Sequence, residues 1–463
     1  MGSIYRGFID KAVLPVYDYV RGTRRRKYRK LLEKSQWLTK KEIEDTQLKN
    51  LKAVLRHAYD TVPFYHQAFK ERGLHPGDIK KVEDMIKLPV LTKQDIQNDK
   101  EKLTSTKISQ DQLIPYHTGG TGNFIRFYIT REQRSWELAA EYRAYGWADY
   151  ELGDRCTVLW GSLFDTPLDK ELLKRATNRI ERIELYSTYV LKDEILSTQI
   201  NKMRRFKPEV VRGYAGSVIF VAKKMLEDGV DDVRPRSVIT SAESLLPEYR
   251  ETIEEAFGCR VYDHYGTREI GAIASECSEH SGYHISAENV LLEFVMDGEH
   301  VAPGERGVIY ATNLRNFGMP FIRYELGDVG KPSDETCSCG RGLPLMESID
   351  GRVSQFLSLY DEETGKIIPV QAADPGVIGV VMDNVPQKTY RVYQETLEKI
   401  TIEIEPRESY SEKNTQYILD YLDARIGKYV EIEVKLVDEI PPLPSGKRSV
   451  VVSKLNPFDR KRI

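Results

Sequence analysis

No stretch of this 463-residue chain approaches the roughly 20 apolar residues that a bilayer-spanning helix needs. Its first residues, Met1-Gly2-Ser3-Ile4-Tyr5-Arg6, also lack the unbroken apolar core of a secretory signal. Charge of one sign is missing too. The 68 Lys and Arg against 71 Asp and Glu leave a balance of −3, and no block of one sign dominates, which argues against general nucleic-acid binding. Cysteine is scarce and odd in number, five in all, so no disulfide framework is implied and a reducing cytoplasm is the expected compartment. Internal repeats and low-complexity tracts are absent. What remains is an enzyme-like composition, 30% charged and long enough for about two or three domains around a large core.

Residues 1–35 read as helical, with a basic patch from Arg21 to Lys30 that suits either a solvated face or an anionic membrane surface or polyphosphate. Apolar residues then recur at helical spacing from Thr39 to Arg72, interrupted at Pro63, and Thr92 is placed to cap a helix after a strand-like run. Strand-like segments at 155–161, 209–214, 237–243 and 260–266 alternate with helices at 191–205, 216–227 and 247–257. That alternation predicts βαβ units and a largely parallel sheet, with ligands expected beyond the carboxyl ends of its strands. From 285 the pattern changes to short strands with Asp-Gly and Pro-Gly turns, a β-rich subdomain over about 285–350. The expected fold class is α/β: a large domain over 1–350 with mixed sheets and a small α+β domain over 351–463, jointed at Gly351-Arg352.

Several clusters carry chemistry. Thr118-Gly119-Gly120-Thr121-Gly122 supplies backbone N–H groups and hydroxyls without bulk, as a phosphate cradle requires. Asp263-His264-Tyr265-Gly266-Thr267-Arg268-Glu269 is an aromatic-Gly turn followed by a hydroxyl and a carboxylate. Phe321 to Asp328 with Gly351-Arg352 form a third motif, and Pro444-Ser445-Gly446-Lys447 a fourth. Cys277, Cys337 and Cys339 with His284, or His280 in its place, offer the three thiols and one imidazole of a structural zinc site. Cys156 and Cys259 lie in or beside apolar runs and read as core. Trp160, Tyr214, Ala215, Gly216, Ser241, Ala242, Glu243 and His264 sit at or just beyond strand ends and are the expected walls of a substrate pocket.

In this order the four motifs resemble those of the adenylate-forming enzyme superfamily, more closely its phenylacetate–CoA ligase-like and capsule-biosynthesis (CapK)-type branch, over nearly the whole chain. The resemblance implies ATP-dependent activation of a small-molecule carboxylate as an acyl-adenylate, with pyrophosphate released and the acyl group passed to coenzyme A or an amine. It implies that Thr118, Gly119, Gly120, Thr121 and Gly122 wrap the β- and γ-phosphates, with Gly266, Thr267 and Arg268 beside the nucleotide. Tyr265 would stack on adenine, Asp328 accept hydrogen bonds from the ribose, and Glu269 hold Mg²⁺. Arg352 would mark the hinge by the ribose or phosphate, and Lys447 reach the α-phosphate and the carboxylate. A zinc cluster of this kind also occurs in the branch. AMP transfer to a phosphate or hydroxyl acceptor, and a catalytically silent nucleotide-binding homologue, are the alternative readings. Two departures stand out: the glycine loop is one residue short and lacks the usual following lysine, and Arg268 occupies the family's threonine position.

Overall fold

The computed structural model describes residues 2–118, 125–160, 171–187, 193–353, 356–372, 377–382, 384–440 and 450–455. None of its helices among these residues is long and apolar enough to cross a membrane.

The predicted alternation resolves into one twelve-stranded sheet among the described residues. One half is parallel and runs, in spatial order, Ile183–Ser187, Cys156–Trp160, Val210–Tyr214, Ser237–Ser241 and Arg260–Thr267. Strands Val210–Tyr214 and Ser237–Ser241 are buried along nearly their whole length, as in a sheet covered on both faces. Helices Ala215–Glu227 and Pro247–Phe257 cover them, burying Val218, Val221, Phe257 and Ile253 in one cluster. The strand Gly271–Glu276 then turns back antiparallel on Arg260–Thr267 and carries the ladder into its second half. The β-rich stretch is therefore joined edge to edge with the parallel half, because Gly271–Glu276 pairs with both Arg260–Thr267 and Tyr283–Ile285.

Over the antiparallel half lies the largest core cluster, which joins the helix Lys40–Thr61 to Phe321, Tyr324 and Ile309. Thr39 begins that helix with a reciprocal cap, its side chain accepting from the Glu42 N–H and Glu42 reaching back, an arrangement worth about 1 kcal/mol. Thr92 does the same for Lys93–Asp99, whereas the apolar run before it forms only a single bridge, Leu91 to Tyr324. Arg323 holds this region from inside. It takes a left-handed backbone at φ 52, pairs with buried Glu293 at 3.0 Å and donates to the Leu88 carbonyl.

The helix Arg131–Trp147 packs on the helix Arg25–Ser35 through the stacked rings of Tyr28 and Trp136, 4.1 Å apart. Beyond Arg352 come the hairpin Phe356–Asp361 with Lys366–Gln371, then a four-stranded sheet ordered Glu431–Leu436, Lys399–Pro406, Gln387–Gln394, Val451–Ser453. The helix Glu412–Leu422 packs on this sheet through Ile418 and Leu422.

Candidate active site and cysteine cluster

Register brings the expected pocket residues into one row. Tyr214, Ser241 and His264 lie opposite one another on three adjacent parallel strands, and the Tyr214 ring packs on Trp160 at 4.3 Å. Past Ser241 the chain turns through Ala242 at φ 68, and Glu243 folds back so that its Oε2 accepts the Gly216 N–H at 2.7 Å. A carboxylate there sits at the positive end of the helix Ala215–Glu227, where it is electrostatically favoured. Ala215 departs from expectation. It is completely buried, so its methyl packs inward instead of facing the pocket.

His264 and Asp263 point to opposite faces of their strand. The His264 Nδ1 lies 2.7 Å from the Ser275 hydroxyl, and burial lowers the imidazole to about 4, which keeps it neutral. Asp263 accepts the hydroxyls of Thr240 at 2.8 Å and Tyr283 at 2.9 Å. Burial, then the nearby Glu276, raise it to about 6. Glu276 is itself clasped by both oxygens to Arg250, at 2.8 and 2.9 Å. A further charged row on the helix Arg131–Trp147 faces the same strands. Arg134 pairs with Glu137 at 2.7 Å, and Arg212 lies 3.6 Å from Glu141 and over the Tyr145 ring. Against burial, which pushes it up, Arg212 holds Glu141 below its usual value. The sequence places Asp263 in a motif without a role and does not single out Glu276, Glu141 or Arg212; no short-range spacing marks residues that meet only across strands.

Around Tyr265 the second and third motifs converge. Its hydroxyl donates to Asp328 Oδ2 at 2.7 Å, and Arg352 Nε stands 2.8 Å from Asp328 Oδ1. Asp328 and Arg352 are directly paired on adjacent antiparallel strands, which is why residues 24 apart in sequence share one carboxylate. Gly266 is required where it stands, since a Cβ there would come within 2.7 Å of the Gly271 carbonyl. The Thr267 hydroxyl accepts the Ile270 N–H at 3.2 Å and so fastens the turn. Arg268 Nη1 lies 3.4 Å from the His117 carbonyl, at the root of the glycine loop. Glu269 is buried and accepts the Tyr324 hydroxyl at 3.0 Å. Thr118 closes the base of that loop, its Oγ1 accepting the Ile125 N–H at 3.1 Å. Gly119, Gly120, Thr121, Gly122 and Lys447 lie outside the described residues.

Ala242, Glu243, His264, Tyr265, Gly266, Thr267, Asp328 and Arg352 line one cleft of about 590 Å³, with Tyr390 and Val450 of the C-terminal part on its other wall. Trp160 and Tyr214 stand beside it on the neighbouring strands.

The cysteine cluster lies a few residues away. Cys277, His284, Cys337 and Cys339 bring one donor atom each within 4.8 Å of one another. Two thiolates bound at about 2.3 Å to one tetrahedral zinc stand about 3.8 Å apart, and the Cys277 and Cys337 sulfurs are 3.6 Å apart. Cys339 Sγ lies 3.3 Å from His284 Nε2, and burial lowers His284 to about 4, so its imidazole is neutral, as ligation requires. His280 turns elsewhere: its Nδ1 is 3.4 Å from Glu276 and its ring packs on Tyr262. Burial raises the remaining cysteines, Cys156 to about 11 and Cys259 to about 12, which fits inert core thiols.

A family model described as the CapK C-terminal domain matches residues 359–454. Phenylacetate–coenzyme A ligase of Pseudomonas putida is 28% identical over 342 residues, 71% of this chain and 75% of that protein. The enzyme of the same name from Thermus thermophilus is 23% identical over 445 residues, covering 89% and 94%. Protein CapK of Staphylococcus aureus is 24% identical over 407 residues, 85% of each. The chain is a homologue of the phenylacetate–CoA ligases and CapK. Its fold is that of 2-hydroxyisobutyryl-CoA ligase in the postadenylation state with 2-HIB-AMP, at a TM-score of 0.68 with 19% identity, covering 92% of this chain and 91% of that one. An open conformation of the same ligase, with 2-HIB-AMP and CoA, matches at 0.63. The large mixed sheet with a C-terminal α+β unit is the architecture of those ligase structures.

Proposed function

We propose that this protein activates a small-molecule carboxylate with ATP, releases pyrophosphate, and passes the acyl group from the resulting adenylate to the thiol of coenzyme A. The observation that carries the reading is Asp328, fixed between the Tyr265 hydroxyl and Arg352 in a cleft walled by both parts of the chain. The relatives named phenylacetate–coenzyme A ligase support the thiol acceptor.

In this reading Asp328 exchanges part of its present bonding for the ribose hydroxyls, and the Tyr265 ring lies against adenine. Glu269, oriented by Tyr324, is a buried hard oxygen donor of the kind Mg²⁺ takes, and when bound the ion supplies positive charge at the phosphates. The glycine N–H groups of 119–122 cradle the β- and γ-phosphates. Arg268, at the root of that loop, supplies the cation that its sequence lacks. The hydroxyls of Thr118 and Thr267 accept N–H groups of their own turns and each keeps its O–H to donate to a phosphate oxygen. Lys447 reaches the attacking carboxylate and the α-phosphate in the first half-reaction. Rotation of the C-terminal part about Gly351-Arg352 withdraws it for the second. Cys277, His284, Cys337 and Cys339 would hold zinc as a structural tie, four protein donors being the set of a structural site and not of a catalytic one.

Pyrophosphate release across a panel of carboxylates, with coenzyme A or amines as acceptor, tests the reading. Release is expected only with a matching carboxylate, with coenzyme A consumed in step. Lys447→Ala is expected to lose about 10²–10³ in rate, the usual scale for removing a transition-state charge contact. Release that needs no carboxylate and is unchanged in Lys447→Ala would refute it. AMP found on a phosphate or hydroxyl acceptor would reassign the protein to coenzyme adenylation, and an acyl amide to the amine branch.

A further inference from the structure

The first 34 residues hold ten Lys or Arg against three Asp or Glu, a net of +7 in a chain whose overall balance is −3. Their inner face is fully used. Tyr5 donates to the Ile180 carbonyl, Arg6 pairs with Asp154, and Asp10 pairs with Arg26. Ile9 and Leu14 are buried against Leu152. Gly153, at φ 98, admits the helix because a Cβ there would stand 3.0 Å from Ile9 and 3.2 Å from Tyr5. On the next helix, Arg25–Ser35, Tyr28 and Leu32 turn inward.

The outer face has no such use. Ile4, Phe8, Val16, Tyr19 and Val20 are all exposed, Tyr19 by 88% and Ile4 by 80%. Positions repeating about every four residues drift around an α-helix of about 3.6 residues per turn. Here the wider π turn Ile9–Val13 takes up that drift, so the apolar residues before and after it realign into one stripe. The stripe contains no Asp or Glu. Lys27, Lys30, Leu31 and Lys34 recur at helical spacing on the exposed side of Arg25–Ser35, and Arg21 and Arg24 stand exposed between the helices.

We propose that this N-terminal layer is a peripheral membrane contact: the apolar stripe enters the headgroup boundary of a bilayer, and Arg21, Arg24, Lys27, Lys30 and Lys34 meet anionic lipid headgroups. The inference is independent of the catalytic reading. A bilayer accepts a convex apolar helix face without a shaped groove, which a protein partner would have to supply. The charge balance orients the contact. The rest of the chain carries a net −10, the −3 of the whole less the +7 of this layer, and is repelled by an acidic leaflet.

The test is co-sedimentation of the full chain with vesicles of phosphatidylcholine alone and of phosphatidylcholine mixed with phosphatidylglycerol. Binding is expected to the anionic vesicles and to fall at least about tenfold at high salt. Tyr19→Ser with Val20→Ser should weaken it about tenfold, and Lys27→Gln with Lys30→Gln and Lys34→Gln about a hundredfold. The single change Tyr19→Ser, at a position exposed enough to leave folding intact, should cost about threefold with an unchanged melting curve. No preference for anionic vesicles, or binding that both multiple variants leave unchanged, overturns the proposal. Self-association in sedimentation velocity that Tyr19→Ser with Val20→Ser abolishes, without vesicle binding, would overturn it in favour of a second copy on the stripe.

Discussion

Glu276 and Cys277 are neighbours in sequence, yet one belongs to the carboxylate network beside the cleft and the other to the cysteine cluster. The two regions use the same strands differently. In the cleft, polar groups hold each other in pairs, Asp328 with Arg352 and Tyr265, Asp263 with Thr240 and Tyr283, and the space between them stays open at about 590 Å³. In the cluster, three sulfurs and one imidazole nitrogen lie within 4.8 Å of one another, close enough to share one ion. Convergence of protein donors is what a structural tie needs; satisfied pairs around an opening are what exchange with a ligand needs.

Removing a cluster ligand should separate the two most sharply. Cys337→Ser is expected to drop zinc below about half an equivalent by elemental analysis and to lower the unfolding midpoint, a loss of several kcal/mol out of the ~10–16 a structural zinc can supply. Untreated native protein with less than about half an equivalent of zinc would remove the metal from the account altogether. The converse change is Asp328→Ala, which removes the proposed ribose acceptor. KM for ATP should rise roughly 30- to 150-fold, for about 2–3 kcal/mol of hydrogen bonding to a charged group, while zinc content is unchanged. Equal loss of zinc in both variants would mean that cleft and cluster are one structural unit.

The smallest effect concerns His264, on the strand that borders both regions. Its folded value of about 4 lies below the unfolded one of about 6.5, so the unfolded chain binds the extra proton between them. The stabilisation is complete above about pH 6.5 and is lost as pH falls towards 4. Urea unfolding at pH 7 and pH 5 should show His264→Gln losing about 2 kcal/mol less than native over that interval. Equal slopes would mean that His264 takes up its proton in the folded state as readily as in the unfolded one.

How much of this was legible beforehand follows from the range of each interaction. The alternation of strand and helix from 155 to 266 and the order of the four motifs are local patterns, and the fold class could be read from them. The donor types of the cluster were legible too. The choice between two histidines was not, because it is made by strand pairing: His284 sits opposite Ser275 and Leu345 in the ladder, whereas His280 occupies a turn at φ 50 and packs on Tyr262. Likewise the Asp263 and Glu141 networks join residues from distant strands and a helix, and nothing in their spacing announces them. The continuity of the β-rich stretch with the parallel half depended on one antiparallel strand, Gly271–Glu276, whose short apolar run has no periodicity of its own. Thr118 and Thr267 were placed at the nucleotide by resemblance, and the further task of their hydroxyls, accepting the Ile125 and Ile270 N–H groups, shows only in the folded turns.

In the proposed reaction the cleft makes an acyl-adenylate before any acceptor is present. Carboxylate-dependent exchange of labelled pyrophosphate into ATP, run without coenzyme A or amine, measures that step alone. Exchange is expected to require Mg²⁺ and a matching carboxylate and to fall in Asp328→Ala. Exchange that proceeds equally without carboxylate, or its absence across a carboxylate panel on which coenzyme A is nonetheless acylated, would contradict it.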